Sequence, residues 1–552
     1  MVTPRVNDQH AAPPPPPAGR EIKSNNDDAT MKLLPYALSL AVLFTLTEPA
    51  RILSVIPTLS RSHYIDGRRI LLELARRGHE IVSISCFEEK DAPPNFTWVQ
   101  IEISSFFDAI PDMKEELYKK MDFFRGQERL WRFTNQLSEY IVNKPILKKF
   151  IEEDQSHFDL VIAEEFYQEV FYVFAHKYKA PLVLLSTFGS GHYISEYMGN
   201  ALELSYVPHE FTDLYGELTF LERAKNLAYT AFDVVARKYF SLEEQHYLAQ
   251  RVFKNLKDVP HVADLERNAS LILINSHFTL AVVRPYLPNI VEIGGVHIED
   301  VKPLEKKLKD VLDGAKKGVV LFSIGSFLEL AAQPEPFIRD VLNTLGKLSQ
   351  VVLLKWNSDE KMPVNYRNIY PMKWLPQNEI LAHPNTVAFI THGGLHSAQE
   401  SVYHGVPTIC IPFYGDQPLN CKKSEKMGFG IHISNLTESN LNNALREILT
   451  NPSYRETAKE LSRRFKDRPM SALDSATYWI EYVIRHKGAN FIKGPKRNLY
   501  WFQYYFLDLW LAVLTSLWVI LKVLKALLSL VFGKKEVVKV SEKKTGKKVK
   551  KN

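Results

Sequence analysis

Cysteine is scarce in this chain of 552 residues, and the shortage excludes two kinds of architecture. The three cysteines, Cys86, Cys410 and Cys421, are too few for a disulfide-rich secreted scaffold. They also lack the paired spacing of a zinc-binding module. We expect a buried small hydrophobic side chain at each position, and a bridge between Cys410 and Cys421 is the alternative.

An excess of charge is also missing from the body of the protein. The formal net charge is +6, but residues 533–552 hold nine Lys and two Glu, so the remaining residues sum to −1. A nucleic-acid-binding body needs a basic surface. The sequence therefore predicts no nucleic-acid partner.

The N-terminal 50 residues do not have the composition of a folded core. Residues 1–30 are polar and Pro-rich, which predicts a disordered leader. Residues 31–50 begin with Met31 and Lys32 and continue as an apolar run, which predicts a signal peptide. The mature body is expected to begin near residue 51.

The C-terminal end predicts a membrane anchor. Residues 499–521 form a stretch of 23 residues with one charge, Asp508, enough to cross roughly 30 Å of hydrocarbon as a helix. A buried core helix is the alternative. The Lys-rich tail, residues 533–552, is expected to be cytosolic and ends in a di-lysine pattern typical of retrieval to the endoplasmic reticulum. We therefore expect a single-pass type I protein of that membrane with a lumenal body, consistent with sequons at Asn95, Asn268 and Asn435.

Between these ends, apolar runs alternate with helical patterns, which predicts α/β architecture with parallel sheets. The length exceeds what one core supports and indicates two domains. We place them at residues 51–285 and 290–485, because prolines and polar residues interrupt the pattern between them. Two such halves predict a ligand-binding cleft between them.

Residues 374–417 concentrate the side chains that suit a nucleotide carrying a sugar. Trp374 offers a flat face for a base, and Gln377 offers a polar edge. His392, Gly394 and Ser397 lie at a strand-to-helix turn that would bind phosphate.

Three more acidic or amide side chains and a second glycine turn complete this set. Glu400 lies further along the helix, where its carboxylate can accept both ribose hydroxyls. Asp416 and Gln417 can bind sugar hydroxyls, and Ser326 lies in the second glycine turn. Each of these residues, taken alone, is more often structural than functional.

Together with residues 60–64 and 318–327, this block resembles the UDP-glycosyltransferase family, in particular its membrane-bound animal members. The resemblance covers nearly everything from Met31 onward. It implies the GT-B fold, with two Rossmann-like domains, the acceptor bound mainly by the first and the UDP-sugar mainly by the second. It also implies that His63, in the loop after the first strand, is the general base.

The resemblance leaves two departures. Relatives pair the base with a carboxylate that is usually aspartate, and this chain has Glu164 there, with Glu165 beside it. Many relatives carry a small polar residue or Asn where this chain has His396. The implied reaction needs neither a metal nor a cofactor, because the UDP-sugar is the donor substrate.

The sequence therefore predicts transfer of a glucosyl or glucuronosyl group to a small lipophilic acceptor, with glucose slightly favoured. The alternative is a catalytically silent UDP-binding subunit that modulates a partner enzyme. A homo- or hetero-oligomer is left open. Five aromatic side chains are candidates for the acceptor pocket: Phe106, Phe107, Phe123, Phe124 and Phe188.

Overall fold

The structure, a computed structural model, describes residues 48–110, 121–326, 328–359 and 361–533. The predicted leader lies outside these residues. So do nearly all of the predicted signal peptide and all but Gly533 of the Lys-rich tail. From Ala50 onward the described residues belong to one unit, which contains two parallel sheets.

The described residues of the first half contribute seven parallel strands to one sheet, in the order β3-β2-β1-β4-β5-β6-β7. The strands are β1 (Arg51–Ile56), β2 (Glu80–Ser85), β3 (Phe96–Gln100), β4 (Leu160–Glu164), β5 (Leu182–Ser186), β6 (Leu271–Ile274) and β7 (Ile290–Glu292). Strands such as β4 and β5 are buried along their whole length, as expected for a sheet covered on both faces.

In the second half, the described residues form a six-stranded parallel sheet in the order β10-β9-β8-β11-β12-β13. The strands are β8 (Val319–Ser323), β9 (Val351–Lys355), β10 (Ile369–Met372), β11 (Thr386–Thr391), β12 (Thr408–Cys410) and β13 (Gly430–His432). In both sheets the order reverses beside the first strand, which opens a crevice at the carboxyl ends of the strands.

Helices connect and cover the strands of both sheets. In the first half they are α1 (Arg61–Arg76), α2 (Phe106–Ala109), α3 (Phe123–Val142), α4 (Pro145–Glu153), α5 (Val173–Tyr178), α6 (His192–Met198), α7 (Phe220–Arg237), α8 (Glu243–Val252) and α9 (Val262–Arg267). In the second half they are α10 (Lys306–Gly314), α11 (Glu335–Gly346), α12 (Gln377–Ala382), α13 (Leu395–His404), α14 (Gln417–Lys426), α15 (Glu438–Thr450), α16 (Ser453–Lys466) and α17 (Ala472–Arg485).

The last helix of the second half, α17, packs against the first half. Ile480 and Val483 of α17 pack in the same core as Ile70 and Leu74 of α1, on one face of the first sheet. Strand β7 also belongs to the first sheet. Both elements lie within the predicted 290–485 domain, although their apolar side chains are buried by the first sheet and not by the second.

The apolar C-terminal segment forms a short helix, α18 (Trp501–Tyr504), and a long helix, α19 (Leu507–Phe532). By length and composition α19 is able to cross a membrane, and none of it is buried, so it is not a core helix. It begins later and ends later than the predicted span at 499–521. Phe506, whose φ is 57°, separates the two helices, and Lys522 and Lys525 continue α19 because lysine is a good helix former.

Candidate active site

Two glycine turns lie side by side at the carboxyl end of the second sheet. One follows β8 and holds Gly325 and Ser326, and the other follows β11 and holds His392, Gly393 and Gly394. Pairing of β8 with β11 brings the turns together. A Cβ on Gly325 would lie 2.8 Å from the His392 ring, and one on Gly394 would lie 2.5 Å from it. Glycine is therefore required at both positions to admit the imidazole.

The second turn leads directly into α13, which exposes backbone amides at its first turn. Burial, together with the positive charge of Lys355, lowers the pKa of His392 to about 4. His392 is therefore a neutral hydrogen-bonding group at neutral pH. The two turns and the helix end suit a diphosphate.

Cys410 and Cys421 are buried as predicted, and they form the disulfide that the sequence analysis gave as the alternative. The bridge joins β12 to α14 and lies directly beneath the second turn, where a Cβ on Gly393 would lie 2.5 Å from one sulfur and 2.7 Å from the other. Gly393 has a φ of 84°, which also favours glycine. The disulfide thus packs against the turn at Gly393 and stabilises it. Cys86 is a free cysteine.

Three of the residues predicted to bind the UDP-sugar are joined by hydrogen bonds. The Gln377 amide nitrogen donates to Ser397 Oγ at 3.1 Å and to Glu400 Oε2 at 2.6 Å. Burial raises the pKa of Glu400 to about 7, and the Gln377 hydrogen bond opposes that rise. This polar group lies beside Trp374, which is 56% exposed and lines the cavity described below.

Asp416 and Gln417 lie at the start of α14. Asp416 accepts a hydrogen bond from the Asn420 amide at 2.7 Å, and burial raises its pKa. The Gln417 amide oxygen accepts from the backbone N–H groups of Phe413 at 2.9 Å and Tyr414 at 3.2 Å. Only the amide nitrogen of Gln417 can therefore face a ligand, whereas the Asp416 carboxyl group can accept from a sugar hydroxyl.

His63 and Glu164 come together at the carboxyl end of the first sheet. His63 Nδ1 lies 2.6 Å from Glu164 Oε1 and 3.3 Å from Thr187 Oγ1. The imidazole is held edge-on between the rings of Phe166 and Phe188. His63 lies in the first turn of α1 rather than in a loop, because the helix begins at Arg61, immediately after the Ser60 N-cap.

The neighbouring carboxylate, Glu165, points into the core of the first half. It is fully buried, and Tyr193 donates to its Oε2 at 3.0 Å. Burial raises the pKa of Glu165 well above its usual range. The structure therefore distinguishes two adjacent glutamates, of which Glu164 contacts His63.

A cavity of about 890 Å³ between the two sheets joins these groups. The predicted residues that line it are His63, Ser326, Trp374, Gln377, His392, Gly394, Ser397, Glu400, Asp416 and Gln417. Glu164 lies behind His63, where 1% of its side chain is exposed. Of the predicted pocket aromatics, Phe123 and Phe188 line the cavity, whereas Phe106 is fully buried in the core.

Sequence reasoning missed Lys355, the last residue of β9. Its ammonium group donates to the Gly325 carbonyl at 2.6 Å, and it lies 5.1 Å from the Trp374 ring centroid. Burial lowers its pKa. Its position at the end of a predicted strand could have identified it, since the carboxyl ends of parallel strands meet at one edge of the sheet. Lys355 therefore places a positive charge between the Trp374 ring and the turn at Gly325.

Comparison with known proteins decides the family. Residues 50–544 match the family model described as "UDP-glucoronosyl and UDP-glucosyl transferase". The chain belongs to the UDP-glycosyltransferase family. The UDP-glycosyltransferase UGT5 of Dactylopius coccus is 31% identical over 528 residues, which cover 92% of this chain and 98% of that protein.

A mammalian relative in this family is similarly distant. UDP-glucuronosyltransferase 2B10 of Homo sapiens is 31% identical over 472 residues, which cover 81% of this chain and 87% of the relative. A solved structure, that of the calicheamicin glycosyltransferase CalG4, superposes with a TM-score of 0.52 at 15% identity and covers 80% of this chain and 99% of its own. The predicted GT-B fold of this UDP-glycosyltransferase is thus confirmed.

Proposed function

We propose that this UDP-glycosyltransferase moves a hexosyl group from a UDP-sugar to a hydroxyl of a small lipophilic acceptor, with inversion and with His63 as the general base. One observation carries the proposal. His63, with Glu164 behind it, and the Trp374–Gln377–Glu400 group border the same cavity from opposite halves of the chain. An acceptor and a nucleotide bound to these groups would meet between them.

The proposed chemistry is a single displacement. Nδ1–H of His63 donates to Glu164, which leaves Nε2 to take the proton of the acceptor hydroxyl. The acceptor oxygen bonds to the anomeric carbon as the bond from that carbon to the UDP oxygen breaks. Glu164 stabilises the imidazolium that forms, as a buried carboxylate does in other histidine pairs.

Charge develops on the departing UDP. His392, Ser397, Ser326 and the amides at the start of α13 are arranged around that position, with Lys355 adding a positive charge. No step of the proposed displacement passes through a metal or a cofactor.

We propose glucose as the favoured sugar. Asp416 and the Gln417 amide nitrogen suit hydroxyl groups, and the negative charge of a glucuronate carboxylate would be unfavourable beside the Asp416 carboxyl group. Turnover of UDP-glucose and of UDP-glucuronate with one simple phenol tests this choice. Faster release of UDP from UDP-glucuronate would contradict it.

We further propose that α19 anchors the enzyme in the endoplasmic-reticulum membrane with a lumenal body. The helix is long, apolar and exposed along its length. A membrane location would also give the site access to lipophilic acceptors, which concentrate there.

The decisive experiment replaces His63. We expect His63→Ala to lower kcat by at least about 100-fold, while UDP affinity is retained, because the base does not contact the nucleotide. His157→Ala is the matched control, since His157 also pairs with a carboxylate, Asp159, but is exposed. Full turnover by His63→Ala would refute the mechanism. Wild-type protein that binds UDP but releases none from any donor and acceptor would instead be a silent subunit.

A further inference from the structure

Three side chains from separate segments converge at the boundary between the two halves. Asp66 is on α1, His297 follows β7, and His396 is in the first turn of α13. Asp66 Oδ1 lies 3.0 Å from His396 Nε2 and 3.8 Å from His297 Nδ1. One potential ligand atom from each residue lies within 4.8 Å of the others.

Several polar atoms of this cluster are buried without a hydrogen-bond partner of normal geometry. They are Oδ2 of Asp66 and both ring nitrogens of His297. Asp66 is 0% exposed and His297 is 4% exposed, so water does not cover these side chains from outside. Buried polar groups in folded proteins are nearly always satisfied. A ligand at the centre of the cluster would satisfy Nδ1 of His297, which faces Asp66 Oδ1.

The donor set indicates the class of ligand. Two imidazoles and one carboxylate suit Zn²⁺, whereas Mg²⁺ and Ca²⁺ prefer oxygen ligands only. Ligand atoms around tetrahedral Zn²⁺ at its usual bond lengths are about 3.3 Å apart. The two separations from Asp66 Oδ1, 3.0 and 3.8 Å, are close to that value, and the third, between the two histidines, lies within 4.8 Å. Small side-chain adjustments would therefore complete the coordination.

The surroundings also match those of zinc sites. Nε2 of His297 lies 3.7 Å from Glu400 Oε1, which places a carboxylate behind a ligating histidine. Such carboxylates orient the ring and raise its basicity. His297 and His396 both line the cavity, which gives an ion an entry path and room for a water as fourth ligand.

We propose that Asp66, His297 and His396 bind a Zn²⁺ ion that ties the first half of the chain to the second. The ion lies outside the proposed chemistry and acts as a bridge across the base of the cleft. Neighbouring contacts already join the same segments, since Gln399 donates to Asn275 Oδ1 at 2.8 Å and accepts from the Gly295 N–H at 3.0 Å. This inference does not depend on the identity of the sugar or on turnover.

The test measures metal binding directly. Full-length protein is purified in detergent without a histidine tag, stripped with a chelator and titrated with Zn²⁺ by calorimetry. We expect one equivalent to bind and the Tm to rise with Zn²⁺ concentration, because the ion binds only the folded state. Co²⁺ in place of Zn²⁺ is expected to give the visible absorption of a tetrahedral site.

Variants assign the ligands. Asp66→Asn and His396→Asn keep a polar side chain of similar size, and each is expected to weaken Zn²⁺ binding by more than about 100-fold, since loss of a mere supporting group costs 10–100-fold. His157→Gln, which alters an exposed histidine paired with Asp159, is expected to bind Zn²⁺ as the wild type does.

Two results would overturn the proposal. One is a wild-type protein that takes up no stoichiometric Zn²⁺ and shows no Tm response, which would leave Asp66 and His396 as an ion pair only. The other is unchanged Zn²⁺ binding in both variants, which would place the ion elsewhere. A variant that fails to fold is distinguished by its far-UV circular dichroism, and the second variant then decides.

Discussion

Nδ1 of His63 and Oε1 of Glu164 lie 2.6 Å apart, joining the first turn of α1 to the end of β4. The pairing fixes which ring nitrogen faces the cavity. It also shows that glutamate, in place of the aspartate usual in relatives, reaches the imidazole. The side chains of Phe166 and Phe188 hold the ring in that orientation.

Glu164→Gln is expected to lower kcat by about 100-fold, because the neutral amide no longer stabilises the imidazolium. UDP affinity should be unchanged, since Glu164 lies behind His63 and does not line the cavity. UDP release at saturating donor and acceptor measures the effect. Glu164→Asp should retain more activity than Glu164→Gln, because it keeps the charge but shortens the reach.

Glu165→Gln is the matched control. Burial raises the pKa of Glu165 well above its usual range, which favours the neutral acid, and glutamine has nearly the same shape as that acid. We expect kcat within about twofold of the wild type. Equal losses in the two variants would mean that damage to the fold, not the charge beside His63, explains both.

Glu400 is expected to make nucleoside binding pH-dependent. Its pKa is about 7 because of burial, so the carboxylate is mostly protonated at pH 6 and mostly ionised at pH 8. An ionised carboxylate accepts from both ribose hydroxyls, so affinity should rise with pH, by up to about tenfold. Uridine is the ligand to use, because UDP phosphates also titrate in this range. Its Kd should become nearly pH-independent in Glu400→Gln, and a pH profile unchanged by that substitution would contradict the assignment.

The sequence predicted the fold because both sheets consist of continuous apolar strands that alternate with amphipathic helices. It predicted most of the candidate site because those residues lie in one segment, 374–417, at successive strand ends. Lys355, Asp66 and His297 were missed because their significance depends on contacts made across the fold. Asp66 and His396 are 330 residues apart in the chain. No local pattern marks such a pair.

The cysteines illustrate the same limit. Cys410 and Cys421 are 11 residues apart, with no spacing signature of a bridge. Only the return of α14 beneath the turn at Gly393 brings their sulfurs together. The start of α19 was also displaced from the predicted span, because no glycine or proline marks the left-handed conformation of Phe506.

Removal of the Cys410–Cys421 disulfide is expected to destabilise the second half of the chain. Closing a loop of this length contributes about 2–3 kcal/mol by the chain-entropy model. Cys410→Ser and Cys421→Ser should therefore lower Tm by similar amounts, and the double variant by no more than either. UDP affinity should also fall, because the bridge supports Gly393. Cys86→Ser, which removes the free thiol, is the control and should leave UDP affinity unchanged.

The three sequons are expected to differ in occupancy if the body is lumenal. The Asn95 side-chain amide donates to the carbonyls of Ala75 and His79, each at 2.7 Å, and a glycan there would disrupt both bonds. Asn268 and Asn435 are exposed. We expect Asn268→Gln and Asn435→Gln each to increase gel mobility by one glycan without lowering Tm. Asn95→Gln should lower Tm, because the longer glutamine side chain no longer fits the two carbonyls. It should leave gel mobility unchanged, because no glycan is expected on Asn95. Wild-type protein whose mobility does not respond to glycosidase would argue against the lumenal orientation, whereas a glycan on Asn95 would argue against the hydrogen bonds that hold it.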